Sequence, residues 1–343
     1  MSDPERPIVL YHYPYSPFAR RVVWYLHLRG IPYAQCIQPP ILPRPDLTRL
    51  GIKYRRIPVL SIGRDVYLDT RLIIQKLEGI HPSLPKLGAE GPEQRAIERL
   101  LEALTIDAGI FTRASQLLPA DLPLLRDPKF QADRADFRGV RLSREAAAAL
   151  RPEALNEIGN AMELLETTLL ADGRDWILGT EGPSLADIEA VWPFHWLVGL
   201  PGALPPDQVS AERFPRVYAW VARFQGAITA AKAKQPRPRD VSGEEAQRMI
   251  VEAPYHEPGC GVDETEPVVG FHGLRKGSAV AVWPTDTGSS HKDTGRLVGL
   301  NSKEIVLETG TGTETETRGQ GVRLHAPRHG FRMRPSPNAA SSL

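Results

Sequence analysis

Ser16 stands between an apolar run, Ile8-Val9-Leu10-Tyr11, and Pro17-Phe18-Ala19-Arg20-Arg21-Val22-Val23-Trp24-Tyr25-Leu26. Phe18, Val22, Val23 and Leu26 recur at three- and four-residue steps, which predicts an amphipathic helix. Serine suits the cap of that helix, and proline suits its first turn, where no N–H is needed. The expected product is a strand, a sharp turn at Pro14-Tyr15, and a helix N-terminus carrying a hydroxyl. Free amides and the helix dipole point there, so a thiolate or another anion would be held. Tyr13 and Tyr15 lie close enough to compete with Ser16 as the donor. The plain structural reading of Ser16 is a helix cap with no chemistry.

Two further stretches have the same character. Tyr54-Arg55-Arg56-Ile57-Pro58-Val59-Leu60-Ser61-Ile62 and Val66-Tyr67-Leu68 flank a Gly63-Arg64-Asp65 turn, which reads as a hairpin. Pro58 at the start of a strand is expected to be trans without other context; a cis bond would turn the Ile57 backbone outward to pair with a ligand as with another strand. Asp69-Thr70 then caps Arg71-Leu72-Ile73-Ile74-Gln75-Lys76-Leu77, a second helix start with a carboxylate and a hydroxyl beside it.

The order is strand, helix, strand, strand, strand, helix. In that order Tyr-Ser-Pro-Phe-Ala-Arg-Arg, Arg-Ile-Pro-Val-Leu and Leu-Asp-Thr-Arg-Leu-Ile-Ile-Gln-Lys-Leu resemble the thioredoxin-like half of cytosolic glutathione transferases, omega- and tau-like members above all. Downstream, Gly182-Pro183-Ser184-Leu185-Ala186-Asp187 is similar to the family's N-capping signature, and Phe214-Pro215-Arg216-Val217-Tyr218-Ala219-Trp220 to its late helix. The resemblance covers roughly residues 7 to 232.

It implies glutathione as the cofactor, with Ser16 as the thiolate's partner where omega-like members carry Cys. Tyr13 and Tyr15 stay open as the rival donors. Serine there favours addition or isomerisation over disulfide exchange, which needs a protein thiol. Ile57 would present its backbone to the cysteinyl unit, and Asp69 and Thr70 would bind the γ-glutamyl end. Arg56, where relatives often have Lys, would pair with the glycyl carboxylate; Pro17, Phe18 and Pro58 complete the glutathione-binding set. Phe111, Trp192 and Phe194 are candidates for an apolar wall facing the second substrate, although core packing is the favoured reading of Trp192 and Trp196. Arg20 and Arg21 follow the turn, and helix solvation is their default.

The composition sets outer bounds. The 343 residues, 41% hydrophobic and 24% charged, suit a globular protein of two or three domains. A net charge of +1 gives no basic field for nucleic acid or anionic membrane. The basic residues Arg318, Arg323, Arg328, Arg332 and Arg334 read as a solvated face balanced by acidic 304–316. Two distant cysteines, Cys36 and Cys260, argue against a disulfide framework or a thiolate metal site. No apolar signal core or membrane-length run is visible, so a cytoplasmic protein is expected.

The expected fold class is α+β multidomain. A thioredoxin-like glutathione-binding domain (1–82) precedes an all-α substrate domain (90–235), whose long helices at 93–118 and 152–170 flank an irregular stretch, 119–145. A linker (236–268) holds one short helix near Glu244–Val251. Short apolar strands between Gly, Asn and Asp then predict a small SH3-like β-barrel (269–335), and a disordered tail (336–343) follows. Within it Gly310 to Glu316 reads as a mobile loop or an edge hairpin. Typical glutathione transferases stop before this module. The expected activity is glutathione addition to, or cis–trans isomerisation of, an electrophilic apolar small molecule. By resemblance, fungal members of this kind serve secondary-metabolite pathways, and a homodimer is implied. The competing reading is a non-catalytic binding or regulatory protein that docks a partner through the module.

Overall fold

The structure, a computed structural model, describes residues 6–141, 143–259, 261–310 and 321–336. The readings made of Cys260, Arg318, most of Gly310–Glu316 and the tail beyond residue 336 lie outside the described residues. The chain begins β1 (Ile8–His12), α1 (Pro17–Arg29), β2 (Ala34–Ile37), α2 (Pro45–Thr48), β3 (Val59–Ile62), β4 (Asp65–Leu68) and α3 (Thr70–Gly79). Helices follow: α4 (Pro92–Ile106), α5 (Ile110–Gln116), α6 (Pro123–Arg126), α7 (Pro128–Arg138), α8 (Arg144–Ala149) and α9 (Arg151–Leu164). A π-helical turn at Leu165–Leu169 extends α9, and α10 (Leu185–Val198) and α11 (Pro215–Ala233) complete the helical unit. The last part holds β5 (Arg239–Asp240), α12 (Gly243–Glu252), α13 (Pro267–His272), β6 (Ala279–Pro284), β7 (Asp293–Leu300), β8 (Glu304–Glu308), β9 (Arg323–Pro327) and β10 (Phe331–Pro335). Among the described residues, no helix is long and apolar enough to cross a membrane.

Alternation along the first strands sorts their side chains into two cores, as a period of two requires. Ile8, Leu10, Leu60, Ile62 and Tyr67 join one core with α1, α3 and the helical unit. Val9, Tyr11, Val59, Val66 and Leu68 join the other with α2, α12 and strands β6 to β10. Both faces of the central sheet are therefore covered, which is why β1 is apolar without interruption. Gly109, at φ 85, breaks the expected helix 93–118 into α4 and α5. The stretch read as irregular contains α7, started by Asp127, whose side chain accepts from Lys129 N at 2.8 Å, and ended by Gly139 at φ 73. Asp-Pro before it and glycine after it were the legible signals.

The C-terminal strands occur where expected, but among the described residues their sheet does not close into the expected barrel. Among the described residues the strands form one sheet, β10-β6-β7-β8-β9-β4-β3-β1-β2-β5. Closure would require β9 to pair with β10. Instead β9 runs parallel to β4, with Val66 opposite Leu324 and Tyr67 opposite His325. That pairing covers the otherwise open edge of the front sheet, and β5 lies parallel to β2 at the other side. Ala246 and Ile250 of α12, the short helix expected within 236–268, are fully buried.

A buried charged cluster sits at the β4–β9 seam. His325 meets Glu304 through Nδ1 at 2.6 Å and Asp65 through Nε2 at 3.0 Å. Lys76 Nζ bridges Glu304 at 2.7 Å and Glu257 at 2.5 Å, and the Tyr67 hydroxyl donates to Glu257 at 2.9 Å. Glu257, Glu304 and His325 offer ligand atoms within 4.8 Å of one another, but the Lys76 ammonium already fills the cation's place. Neutral imidazole has one N–H, so two carboxylate partners call for the charged form. Burial would lower the His325 pKa, but the hydrogen bonds and charges of Asp65 and Glu304 raise it above its ordinary 6.5. Burial would raise Asp65 and Glu304, yet His325, with the Glu257 amide and Lys76, holds both below 3.8 and 4.5.

The seam should therefore have a pH optimum. The His325 contribution is complete below its unfolded pKa, about 6.5, and is lost as pH rises through the higher folded value. The carboxylate contributions are complete above about 4.5 and are lost as pH falls through the lower folded values. We expect the urea midpoint to fall as pH rises above about 6.5, and Asp65→Asn to flatten that fall while costing about 3 kcal/mol; an unchanged slope in the variant refutes the assignment. A second buried pair, Arg21 on α1 with Glu189 on α10, joins the sheet unit to the helical unit. Glu189→Ala strands a guanidinium of 0% exposure and should cost roughly 3–5 kcal/mol in denaturant unfolding.

Candidate active site

Strand register brings the three motif stretches together. Tyr11 of β1 lies opposite Val59 of β3, so the turn leaving β1 stands beside Ile57-Pro58. Val59 in turn lies opposite Leu68 of β4, so Asp69-Thr70 leaves the sheet at the same end. One end of the sheet thus carries two helix N-termini and the backbone before Pro58.

Ser16 caps α1 in extended backbone, φ −69 and ψ 119, with Pro17 in the first turn. Its Oγ is buried and accepts from Ala19 N at 3.2 Å. That bond uses a lone pair and leaves the hydroxyl hydrogen for another acceptor. The Tyr13 and Tyr15 rings pack 4.8 Å apart. Tyr15 is 46% exposed, and what burial it has, with Tyr13 beside it, raises its pKa above the ordinary 10.0. It is a protonated donor at neutral pH. Cys36, the other possible nucleophile in this unit, is buried and pushed up to about 12 by burial and Asp46, so it stays an inert thiol.

The Ile57–Pro58 peptide is cis. Among the described residues, neither the N–H nor the C=O of Ile57 has a hydrogen-bond partner. Asp69 adopts φ 68 and caps α3, accepting from Arg71 N at 3.0 Å. Left-handed backbone at a non-glycine residue is uncommon and clusters at functional sites. Thr70 is buried, and its Oγ1 accepts from Arg21 Nη1 at 2.5 Å. With its lone pair held by a cation, the Thr70 O–H is free to donate to a carboxylate.

Arg21 was read as a solvated helix residue. It is instead fully buried, between Thr70 and Glu189. Nothing in a run of two arginines tells which one turns inward; Arg20 takes the outer side and donates to Pro14 O at 3.3 Å. Arg56 sits at the site's edge, where its Nε donates to Thr287 O at 3.0 Å and its Nη2 pairs with Asp286. Burial would lower the Arg56 pKa, but nearby acidic groups, Asp286 and Asp69 among them, leave it raised.

The aromatic residues divide. Phe18 stacks edge-on to Phe111 at 4.7 Å and tilts against Trp192 at 4.8 Å, and Phe111 lies over Trp196 at 5.9 Å. Phe18 and Phe111 are half-buried beside the start of α1, whereas Trp192 is 1% exposed. Phe194 is equally buried in the core and joins none of these ring contacts. The Ser184–Asp187 signature is structural: Asp187 accepts from Ser184 N at 2.9 Å, Ile177 N at 2.9 Å and Trp220 Nε1 at 2.8 Å.

Comparison with known proteins agrees with this geometry. Residues 10–89 match the family model "Glutathione S-transferase, N-terminal domain", and residues 113–233 match a domain of unknown function. Glutathione S-transferase U1 of Arabidopsis thaliana is 30% identical over 241 residues, 70% of this chain and 94% of that protein. Glutathione transferase GST 23 of Zea mays is 24% identical over 68% of this chain and 91% of its own length. The solved structure of a GST-like protein from Pseudomonas syringae superposes with a TM-score of 0.69 at 25% identity, over 96% of this chain and 100% of that one. That superposition takes in the added C-terminal strands as well. A relative matched over nearly its whole length, together with a family model on the unit that bears Ser16, Pro58 and Asp69, makes this chain a member of the cytosolic glutathione transferase superfamily.

Proposed function

We propose that this protein binds glutathione at the shared end of β1, β3 and β4 and uses its ionised sulfur against an electrophilic apolar small molecule. The observation that carries the reading is the meeting of the Ser16-capped helix start, the unpaired Ile57 backbone and the Asp69-Thr70 helix start at one sheet end. The tripeptide's cysteinyl amide pairs with Ile57, its γ-glutamyl ammonium with Asp69, and its γ-glutamyl carboxylate with the Thr70 hydroxyl. Its sulfur then lies before α1, where the helix field and a serine hydrogen bond favour the thiolate. No general base is needed, because stabilising the anion lets solvent take the thiol proton.

The thiolate attacks an electrophilic carbon and forms a C–S bond, while the displaced electron pair moves into the acceptor and takes a proton from solvent. If, before that proton arrives, the former double bond rotates and the electron pair returns to expel the thiolate, the outcome is cis–trans isomerisation. Phe18 and Phe111 provide the apolar wall, and one activated sulfur serves both outcomes.

Two variants test the site. Ser16→Ala should return the bound thiol toward its solution value by roughly one to two pKa units, with a ten- to hundredfold fall in conjugation rate at neutral pH. Ultraviolet titration of thiolate absorbance on the bound tripeptide measures this, and an unmoved titration would hand the role to Tyr13 or Tyr15. Asp69→Ala should weaken retention on immobilised glutathione by at least about tenfold, with a loss of only about 1 kcal/mol in stability as a cap is removed. Full retention by that variant removes the γ-glutamyl assignment.

A further inference from the structure

The residue expected to hold the glycyl carboxylate is already paired within the chain. Arg56 Nε and Nη2 both reach Thr287 O, at 3.0 and 2.5 Å, and Nη2 also contacts the Asp286 carboxylate. The Nε–Nη2 edge is one on which a guanidinium can grip a carboxylate with two parallel bonds. Here the connection between β6 and β7 has filled it.

That connection is held on several sides. Gly288 N donates to Phe137 O at 2.8 Å, and His291 Nε2 meets Asp136 at 3.1 Å, so α7 secures it. Gly288 adopts φ 74, and a Cβ there would lie 2.9 Å from Arg55 Cγ, so the segment packs down onto the two arginines without a side chain between. At the far end Asp293 accepts from Lys53 N at 2.6 Å. The Asp286 side chain is 65% exposed, so its replacement leaves the buried core untouched.

Resting on the glutathione reading, we propose that Asp286 is a specificity-determining residue. Its carboxylate takes the place of the peptide's C-terminal carboxylate on Arg56. Recognition then falls on the γ-glutamyl and cysteinyl parts, and the site accepts γ-glutamyl thiol peptides whose C-terminal carboxylate is masked as readily as free glutathione. A second carboxylate brought to Arg56 would meet the repulsion of Asp286, and like charges at an interface suppress binding.

The test is calorimetric titration of the full chain with glutathione and with its glycyl monoethyl ester, which lacks only that charge. Wild type should bind the two within about threefold, because neither gains Arg56. Asp286→Ala and the near-isosteric Asp286→Asn should each favour the free acid by roughly tenfold, the value of one charge-assisted bond. General loosening of the segment would change both affinities together and leave their ratio alone. A wild type that already prefers the acid tenfold, or a ratio unmoved in both variants, overturns the role of Asp286 while leaving the glutathione site intact. Failure of wild type to bind either ligand overturns the glutathione reading itself.

Discussion

The parallel pairing of β9 with β4 is the constraint from which the unusual parts of this molecule follow. Without it, β4 would present a row of unpaired amides and carbonyls at the edge of the front sheet. With it, the C-terminal strands become an extension of that sheet, and their inner side chains join Val9, Tyr11 and Val66 in one core. The seam is held by more than main-chain bonds. His325, Asp65, Glu304, Lys76 and Glu257 balance one another in a place water does not reach freely. Such clusters stabilise little over an apolar replacement, yet they cost a great deal when one partner is missing. Their value here is in register: a slip of one residue would turn His325 to the other face of the sheet and leave two carboxylates facing each other.

The same pairing decides what surrounds the candidate site. It fixes β6 and β7 so that their connection reaches Arg56 and lies against α7. The site's electrostatics then divide. At the start of α3, Arg21 holds the Thr70 oxygen and leaves its hydrogen available. Before Ile57, Arg56 is matched by a carboxylate from the chain itself.

Much of the first eighty residues was legible because local rules and tertiary need agree there. Ser16 before Pro17 is a cap whatever it later binds, and alternation in Ile8–Tyr11 sorts two faces without knowledge of what covers them. The short C-terminal strands were legible for the same reason. Their closure was not, because period-two patterning names a buried face and says nothing about which strand an edge will meet. Arg21 failed to declare itself for a related cause. A charged side chain reads as solvated until the partner that neutralises it, here Glu189, is known to stand opposite.

By itself, then, the amino-acid order determined the local devices: most strands and helices of the first eighty residues, where those helices start, and which hydroxyls and carboxylates stand at those starts. Caps, turns and periodicity act over a few residues, so a linear reading reaches them. The tertiary structure alone decided how the sheet ends, which arginines are buried and which carboxylate each one faces. Those outcomes depend on pairs separated by 168 positions in Arg21–Glu189, 230 in Arg56–Asp286 and 260 in Asp65–His325, and charges so far apart along the chain interact only once folding has brought them within a few ångströms and out of water.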